Sequence, residues 1–265
     1  MLGAIVGDII GSRFEWHNHK DKDFKLFTNS CHFTDDTVMT LAVAKSLSRF
    51  PDGVNDYEDL RLALIKDMHE VGKNYLHCGF GGSFYNWLIN DETAPYGSYG
   101  NGAAMRVSYV GHYAKSLKEA ETLAEITSAV THNHKEAIKA AKVVAGSIYL
   151  ARIHKTKKEL YAYMSKFYNL NRSVENIRKD YSFDVSCSGS VPEALICFLE
   201  SDSFEDCIRN AISIGGDSDT IAAIAGSIAE SYYGMDDKIT KEVKTYLDPY
   251  LLDILNKAQA VLEKR

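Results

Sequence analysis

Apolar residues at helical spacing are the feature that most limits what this chain can fold into. In residues 57–78, Leu64, Met68 and Val71 follow one another at steps of four and three, which places them on one face of an α-helix. Only four prolines interrupt the 265 residues, and no alternating run is long enough to indicate a sheet. The sequence therefore predicts an all-α fold with about ten helices, more than the usual helix content.

Several segments carry this pattern clearly enough to be predicted as helices. They are Thr37–Phe50, Tyr57–Cys78, Leu117–Val130, Lys135–Ile153, Lys158–Leu170, Val191–Leu199, Phe204–Ile214, Ile221–Tyr233 and Pro249–Leu262. By contrast, Asn171–Phe183 is predicted to be a solvated connection. No linker rich in Pro, Gly or Ser and no internal repeat divides the chain, so residues 1–265 are predicted to form a single domain. The oligomeric state stays open, with a monomer favoured.

The charge balance and the cysteines limit the class of protein. With 36 acidic and 30 basic residues the net charge is −6, which argues against a nucleic-acid binder and mildly against an anionic ligand. Five cysteines without a Cys-x-x-Cys pair indicate reduced thiols and a cytoplasmic protein. No segment is apolar enough for a membrane span, and no basic residue precedes the apolar Met1–Ile10 as in a secretory signal.

An acidic pair stands directly before a predicted helix, in Phe33-Thr34-Asp35-Asp36-Thr37. Thr and Asp are favoured helix caps, and acids suit the positive end of the helix dipole. One cap does not need two adjacent aspartates, however, and adjacent carboxylates repel each other unless a cation lies between them. Helix capping and metal binding explain this motif equally well.

A second acidic pair, in Gly215-Gly216-Asp217-Ser218-Asp219-Thr220, also opens a helix. Carboxylate and hydroxyl oxygens are ligands of Mg²⁺, Mn²⁺ and Ca²⁺, and the spacing is not that of an EF-hand loop. Two such motifs favour a shared two-metal site over two unrelated caps. Glu15 is a third candidate. It follows Asp8 by seven residues, so the two acids would share one helix face, although either is more typical of a surface or capping acid.

The glycine-rich segment Tyr96-Gly97-Ser98-Tyr99-Gly100-Asn101-Gly102 precedes a helix predicted to begin near Ala103. Such a loop can offer backbone N–H groups to a phosphate, although an ordinary turn is the simpler explanation. It has neither the Gly-Lys-[Ser/Thr] of a Walker loop nor the preceding strand of a dinucleotide-binding fold.

Two histidines lie between predicted helices, in Thr131-His132-Asn133-His134. Histidines at this spacing are possible metal ligands. The simpler expectation is that Thr131 or Asn133 caps the helix that starts near Lys135. His132 could instead donate a hydrogen bond to a ligand hydroxyl or phosphate.

Taken in order, these motifs resemble those of the ADP-ribosylglycohydrolase family. The resemblance runs from Gly3-Ala4-Ile5-Val6-Gly7-Asp8, through Glu15, to about Gly234. Residues 34–37 resemble the family's Thr-Asp-Asp-Thr motif, and residues 215–220 resemble its Gly-Gly-Asp-x-Asp-Thr motif. The resemblance implies a single-domain orthogonal helix bundle with two Mg²⁺ or Mn²⁺ ions in a cleft. Cations among these acids would remove the conflict between an acidic chain and a phosphate-bearing ligand.

The resemblance also implies roles for individual residues. The metal ligands would be Thr34, Asp35, Asp36, Asp217, Asp219 and Thr220. Glu15 would contact a metal from a mobile segment. The diphosphate and the proximal ribose would be held by Gly97, Ser98, Tyr99, Gly100, Asn101 and Gly102. His132 would lie near the ADP-ribose, and Ser190 would lie in a loop, Gly189–Pro192, that lines the adenosine side.

The implied reaction is hydrolysis of the bond between C1″ of ADP-ribose and an acceptor. It would pass through an oxocarbenium-like transition state, as glycoside hydrolysis does. The catalytic acids would be Asp35, Asp36 and Glu15. Asp35 or Asp36 would accept the proton of the attacking water, and Asp35 is expected to be the most sensitive residue. A falling pH should reduce activity, because protonated carboxylates lose their metals.

More than one function stays open within this resemblance. The first is removal of ADP-ribose from an ADP-ribosylated protein, with arginine as the default acceptor. The second is hydrolysis of a free compound such as ADP-ribosyl-guanidine or O-acetyl-ADP-ribose. The third is a non-catalytic ADP-ribose binder or a structural protein, since the family includes crystallins, but all six implied metal ligands are present here. Trp16–Ser30 and Gly79–Tyr96 are the loops expected to select the acceptor.

Overall fold

Helices form the whole framework of the protein, as the spacing of the apolar residues predicts. A computed structural model describes all 265 residues. The helices are α1 (Leu2–Gly11), α2 (Asp35–Leu47), α3 (Tyr57–Gly72), α4 (Gly82–Ile89), α5 (Gly102–Met105), α6 (Ser108–Tyr113), α7 (Leu117–Ala129), α8 (Lys135–Arg152), α9 (Lys157–Met164), α10 (Val174–Asp180), α11 (Cys187–Leu199), α12 (Phe204–Ser213), α13 (Ser218–Tyr233), α14 (Asp237–Lys244) and α15 (Pro249–Glu263). The all-α prediction is confirmed, and the helices surround one hydrophobic core.

Fifteen α-helices form instead of about ten, because short or fully buried helices show little periodicity in the sequence. The sequence pattern does not predict α1, all ten residues of which are buried, so the helix has no polar face. The prediction of a solvated connection over Asn171–Phe183 is wrong. This segment contains α10, which is capped by Ser173 and buries Val174 and Ile177. None of the helices has the length and hydropathy that a membrane crossing requires.

Three helix boundaries differ from the prediction by four residues or more. α3 ends at Gly72 and continues as a 3₁₀ turn over Lys73–Tyr75, and α9 ends at Met164. α11 begins at Cys187, because the Ser186 hydroxyl accepts a hydrogen bond from the N–H of Gly189 at 3.1 Å and caps the helix there. The segment Gly189–Pro192 is therefore the start of a helix and not a loop.

α1 lies directly on α13, and glycine makes this close contact possible. A Cβ atom on Gly7 would lie 2.1 Å from the carbonyl oxygen of Ala222, and one on Gly11 would lie 2.5 Å from the Cα of Asp219. Any side chain at these positions would force the helices apart, because the interior has no room to absorb it. The contact brings the C-terminal part of α1, with Asp8, next to Asp219 at the start of α13.

The two acidic motifs begin neighbouring helices at this same place. Thr34 caps α2, and its hydroxyl accepts a hydrogen bond from the N–H of Asp36 at 3.3 Å. Gly215 and Gly216 have φ angles of +73° and +74°, a region that glycine enters without steric cost. These two residues turn the chain into α13. The fold therefore places both acidic pairs at the end of α1.

Candidate active site

Six carboxylates converge where the starts of α2 and α13 meet the end of α1. They are Asp8, Glu15, Asp35, Asp36, Asp217 and Asp219. Carboxylate oxygens of Asp8, Asp36 and Asp219 lie within 4.8 Å of one another, and those of Glu15, Asp217 and Asp219 form a second group of the same kind. We call these groups the inner triad and the outer triad. Asp219 belongs to both, so the two triads are adjacent.

Asp8 is the member of the cluster that the sequence motifs do not single out as a ligand. Its carboxylate is fully buried. Oδ2 accepts hydrogen bonds from the N–H groups of Thr34 and Thr37, both at 3.0 Å, and Oδ1 accepts one from the Thr34 hydroxyl at 2.7 Å. Asp8 is thus a capping acid, but for α2 and not for its own helix. The signal in the sequence is an acid alone among apolar residues in Leu2–Gly11, since such an acid is rarely buried without partners.

Asp36 and Asp219 each keep one buried carboxylate oxygen without a partner. Oδ2 of Asp36 accepts a hydrogen bond from the Thr220 hydroxyl at 3.0 Å, but Oδ1 of Asp36 and Oδ1 of Asp219 bind no group of the protein. Burial, and then the neighbouring acids, raise the pKa of both carboxyl groups well above the usual range. Buried oxygens of this kind are costly unless something outside the chain binds them.

The chain supplies no positive side chain to the cluster, since none of its six acids forms an ion pair with Lys, Arg or His. Burial raises the pKa of Asp35 to about 8, and the charges of Asp8 and Asp217 add to the effect. Burial and the same two neighbours raise the pKa of Glu15 to about 7. Hard oxygen donors with unbound atoms and excess negative charge fit divalent cations such as Mg²⁺ or Mn²⁺.

The predicted metal ligands occupy different places in this arrangement. Asp36, Asp217 and Asp219 belong to the triads, whereas Asp35 lies beside them. The Thr34 hydroxyl donates to Asp8, and the Thr220 hydroxyl donates to Asp36. Both threonines therefore orient carboxylates through hydrogen bonds within the protein.

A cleft of about 520 Å³ opens beside the carboxylates. Asp35 lines it, and the N–H of this residue donates to the carbonyl oxygen of Cys78 at 2.9 Å. The Asp35 carboxylate accepts no hydrogen bond from another residue. Gly79, which has a φ of +115°, lies against this carboxylate, and a Cβ atom there would come within 3.0 Å of Asp35 Oδ1. Asp35 is therefore both accessible and held at the cleft.

The glycine-rich segment forms another part of the cleft wall, but not with all of its predicted residues. Ser98, Gly100, Asn101 and Gly102 line the cleft, whereas Gly97 does not and Tyr99 is 60% exposed outside it. The N–H groups of Gly100 and Asn101 donate within the protein, to Ser98 Oγ at 3.1 Å and to the carbonyl of Val185 at 2.8 Å. The segment therefore presents side chains more than a row of free N–H groups.

Asn101 connects this wall to the carboxylates. Its Nδ2 donates to Oδ2 of Asp217 at 2.6 Å. Because Asn101 lines the cleft and Asp217 belongs to the outer triad, this hydrogen bond sets the distance between the two parts of the site. The hydrogen bond joins positions 101 and 217, and no pattern in the sequence predicts it.

The remaining predicted binding residues divide into one that lines the cleft and one that does not. His132 is buried and lines it. Ser190 is fully buried within α11, where its hydroxyl donates to the carbonyl of Ser186 at 2.8 Å, so the prediction that it lines the cleft from a loop is wrong. The predicted cap of α8 is also wrong, because Nδ1 of His134 accepts the N–H of Glu136 at 3.2 Å in place of Thr131 or Asn133.

Aromatic residues from distant segments frame the mouth of the cleft. Trp16, next to Glu15, stacks on Phe183 with ring centroids 5.0 Å apart, and both rings are exposed. Phe80 and Phe84 line the cleft from the segment after Gly79. Parts of the two loops expected to select the acceptor thus reach the cleft, and Phe183 joins them from a segment that the sequence motifs do not indicate.

Comparison with known proteins finds relatives over most of the chain. The family model described as ADP-ribosylglycohydrolase matches residues 1–264. The chain is 24% identical to ADP-ribosylhydrolase ARH3 of Homo sapiens, over 89% of this chain and 85% of that protein. It is 26% identical to the ADP-ribosyl-[dinitrogen reductase] glycohydrolase of Rhodospirillum rubrum, over 94% and 93%. It is 27% identical to the ADP-ribosylarginine hydrolase Tri1 of Pseudomonas putida (strain GB-1), over 89% and 70%.

The fold has a counterpart among solved structures. A chain of an "ADP-ribosylglycohydrolase-related protein complex" superimposes with a TM-score of 0.69 at 21% identity, and the match covers 99% of this chain and 95% of that one. The family match over nearly every residue, together with this fold, leads to one conclusion. The chain belongs to the ADP-ribosylglycohydrolase family.

Proposed function

We propose that the protein hydrolyses the glycosidic bond between ADP-ribose and an acceptor, with the arginine side chain of a protein as the acceptor to test first. The observation that carries the proposal is a set of six converging carboxylates, none of them paired with a positive side chain, at a cleft of about 520 Å³. The relatives support the choice of substrate, because their names specify ADP-ribosylated arginine and ADP-ribosylated dinitrogen reductase.

Two divalent cations, Mg²⁺ or Mn²⁺, are part of this proposal. The acids that would hold them are Asp36, Asp219, Asp217 and Glu15. All four line the cleft, and Oδ1 of Asp36 and Oδ1 of Asp219 have no hydrogen-bond partner. Asp8 has both oxygens occupied by the start of α2, so its role would be to orient Asp36. When bound, such cations would offset the carboxylate charge and polarise oxygen-containing groups in the site.

Asp35 would move the proton in this reaction. Its carboxylate lines the cleft and has no hydrogen-bond partner from another residue. In the proposed step the oxygen of a water molecule forms a bond with C1″ of the ribose while the bond from C1″ to the acceptor nitrogen breaks. Asp35 accepts the proton of that water and passes it to the leaving guanidine, which is released as a guanidinium. Atoms and charge balance without any further reactant.

The glycine-rich part of the cleft wall and His132 would hold the rest of the substrate. Ser98, Asn101 and His132 offer hydroxyl, amide and imidazole groups toward the cleft, and these suit the hydroxyl and phosphate oxygens of ADP-ribose. Because Asn101 also binds Asp217, the position of the ribose would be linked to the position of the acids. This linkage would place C1″ of the ribose next to the Asp35 carboxylate.

A substrate panel tests the proposal. The protein is incubated with Mg²⁺ or Mn²⁺ and with peptides that carry ADP-ribose on arginine, serine or cysteine, as well as ADP-ribosyl-guanidine and O-acetyl-ADP-ribose. We expect release of free ADP-ribose from the arginine peptide, and loss of release in Asp35→Asn. Asp253→Asn, which changes an exposed acid on α15 paired with Lys257, is the matched control and should keep full activity.

The other outcomes of the panel are equally specific. Hydrolysis of only the free compounds would replace the protein substrate with a small molecule. If no substrate releases ADP-ribose while wild type and Asp35→Asn bind ADP-ribose equally well, the protein is a binder and the proposed hydrolysis is wrong.

A further inference from the structure

Arg106 is a buried guanidinium that has no carboxylate partner. Its side chain is 1% exposed, and Nη2 donates to the carbonyl oxygens of Thr127 and Ser128 at 2.8 and 3.4 Å and to the Thr131 hydroxyl at 2.9 Å. Its Nε binds no group of the protein. Buried arginines are usually paired with an acid, so a positive charge held only by neutral groups beside a cleft calls for an explanation.

The Thr131 hydroxyl connects this guanidinium to His132. Thr131 Oγ1 lies 2.8 Å from Nδ1 of His132. The main chain of His132 is fixed on both sides, since its N–H donates to the Ser128 carbonyl at 2.8 Å and its carbonyl accepts the Ser128 hydroxyl at 2.7 Å. The imidazole lies with Nδ1 toward Thr131 and Nε2 toward the glycine-rich wall, 3.2 Å from where a Cβ on Gly102 would lie.

The protons along this chain of hydrogen bonds limit the tautomers that His132 can adopt. Arginine donates only, so the Thr131 oxygen accepts from Arg106. The hydroxyl has one proton of its own, and two of its neighbours have a lone pair to receive it, Nδ1 of His132 at 2.8 Å and the phenol oxygen of Tyr96. An imidazole that accepts at Nδ1 and is neutral carries its proton on Nε2.

We infer that Arg106 and Thr131 are positioning residues that present His132 to the cleft as a neutral imidazole, whose Nε2–H donates to a phosphate or hydroxyl oxygen of the substrate. The position of Nε2 at Gly100 and Gly102, inside the cleft lining, carries the direction of this donor. Burial, followed by the Arg106 charge, lowers the pKa of His132 well below its usual range, which is consistent with the neutral form. Only the identity of the ligand rests on the proposed function.

A purely structural role for Arg106 is the alternative. Its contacts with Thr127 and Ser128 lie at the C-terminal end of α7, where a positive group offsets the helix dipole. That role does not involve the hydroxyl of Thr131. Thr131→Val removes the hydroxyl, keeps the side-chain shape and leaves the contacts of Arg106 with the helix end, so it separates the two roles.

The test reads the tautomer and the affinity separately. ¹⁵N NMR of the histidine rings is recorded without ligand on wild type, Thr131→Val, Thr131→Ser and Ser147→Ala, and the Kd for ADP-ribose is measured by calorimetry. Ser147→Ala is the control, since it removes a fully buried hydroxyl of α8 that has no hydrogen-bond partner. We expect the Nε2–H tautomer in wild type, loss of the single tautomer in Thr131→Val, and a Kd raised about tenfold in that variant, as for loss of one well-placed hydrogen bond.

Thr131→Ser, which retains a hydroxyl, should restore the tautomer and bring the Kd to within about twofold of wild type, and Ser147→Ala should change neither. In turnover, Thr131→Val should raise KM more than it lowers kcat. An Nδ1–H tautomer in wild type, or a tautomer unaffected by Thr131→Val, would overturn the inference. If wild type shows the expected tautomer but does not bind ADP-ribose, the proposed function fails while the arrangement of Arg106, Thr131 and His132 stands.

Discussion

The two ends of α2 bury carboxylates in opposite ways. Just beyond its C-terminal end, Arg49 binds the fully buried carboxylate of Asp67 at 2.5 Å, and Lys45 lies 3.6 Å from the same group. At its N-terminal end, two aspartates meet four more acids and neither a lysine nor an arginine. The carboxylates of Asp67 and Asp36 are both buried, so burial does not separate the two ends. The positive charges that the chain itself supplies make the difference.

The comparison distinguishes a buried carboxylate that has its positive partners within the chain from one that lacks them. The ion pair of Asp67 is complete within the chain, and such a pair needs nothing from outside. The acids at the other end leave buried oxygens unbound, which would be a defect in a purely structural site. The same burial thus stabilises the fold at one end of the helix and, under the proposed function, prepares a site for cations at the other.

Removal of Asp35 should have the largest effect of any change at either end. Asp35→Asn is expected to lower kcat by about 10²- to 10⁴-fold, the range for loss of a general base. The free energy of unfolding should stay the same or rise, because one of several repelling carboxylates is lost. Release of ADP-ribose and thermal denaturation measure the two quantities. A variant with activity within tenfold of wild type would show that Asp35 does not accept the proton.

Divalent cations should stabilise the N-terminal end of α2 and leave the other end unaffected. At about 100 times their Kd, Mg²⁺ or Mn²⁺ is expected to raise the free energy of unfolding by about 2.7 kcal/mol for each ion bound, and EDTA should reverse the change. Asp219→Asn, which alters both triads, should abolish most of the increase, whereas Asp67→Asn should keep it. A wild-type melting temperature that neither cation changes would mean that the acidic pairs are helix caps only.

Loss of the complete ion pair should cost stability without affecting chemistry. Asp67→Asn is expected to lower the free energy of unfolding by about 2 kcal/mol, less than for a fully buried pair because Arg49 is partly exposed. Activity per folded molecule should be unchanged. Glu70→Gln changes an exposed acid that binds Lys45 and the Tyr250 hydroxyl and should cost about 0.5 kcal/mol. Urea denaturation measures both variants, and equal losses would contradict the role assigned to burial.

Glu193 on α11 is an intermediate case, since its buried carboxylate has one partner, Arg172, at 2.8 Å. Burial raises its pKa to about 7, and Arg172 opposes the shift. The folded state therefore retains the proton up to about pH 7 while the unfolded chain loses it near pH 4.5, so stability falls as pH rises through this window. Relative to wild type, Glu193→Gln should gain about 1 kcal/mol between pH 5 and pH 8, after allowance for screening by the exposed Arg172. A difference that does not change with pH would contradict the raised pKa.

Local patterns predicted the parts of the molecule that depend on near neighbours. The helical fold follows from apolar spacing, and both acidic motifs do begin helices, because residues three or four apart already determine such structure. Short helices such as α10 contain too few repeats for the same argument. The loop expected at Ser190 and the cap of α8 expected at Thr131 or Asn133 are wrong, because the actual caps, Ser186 and His134, depend on side-chain geometry that residue type alone does not reveal.

By itself, the sequence determined an all-α chain with acidic pairs at two helix starts, and its ordered motifs indicated the family. Only the tertiary structure decided which of these acids meet. Gly7 and Gly11 allow α1 to lie against α13, and this contact brings Asp8 beside Asp36 and Asp219. Helix periodicity describes spacing along one helix, whereas the distance between positions 8, 36 and 219 depends on packing between helices. Packing between helices also produces the triads, the Asn101–Asp217 hydrogen bond and the link from Arg106 to His132.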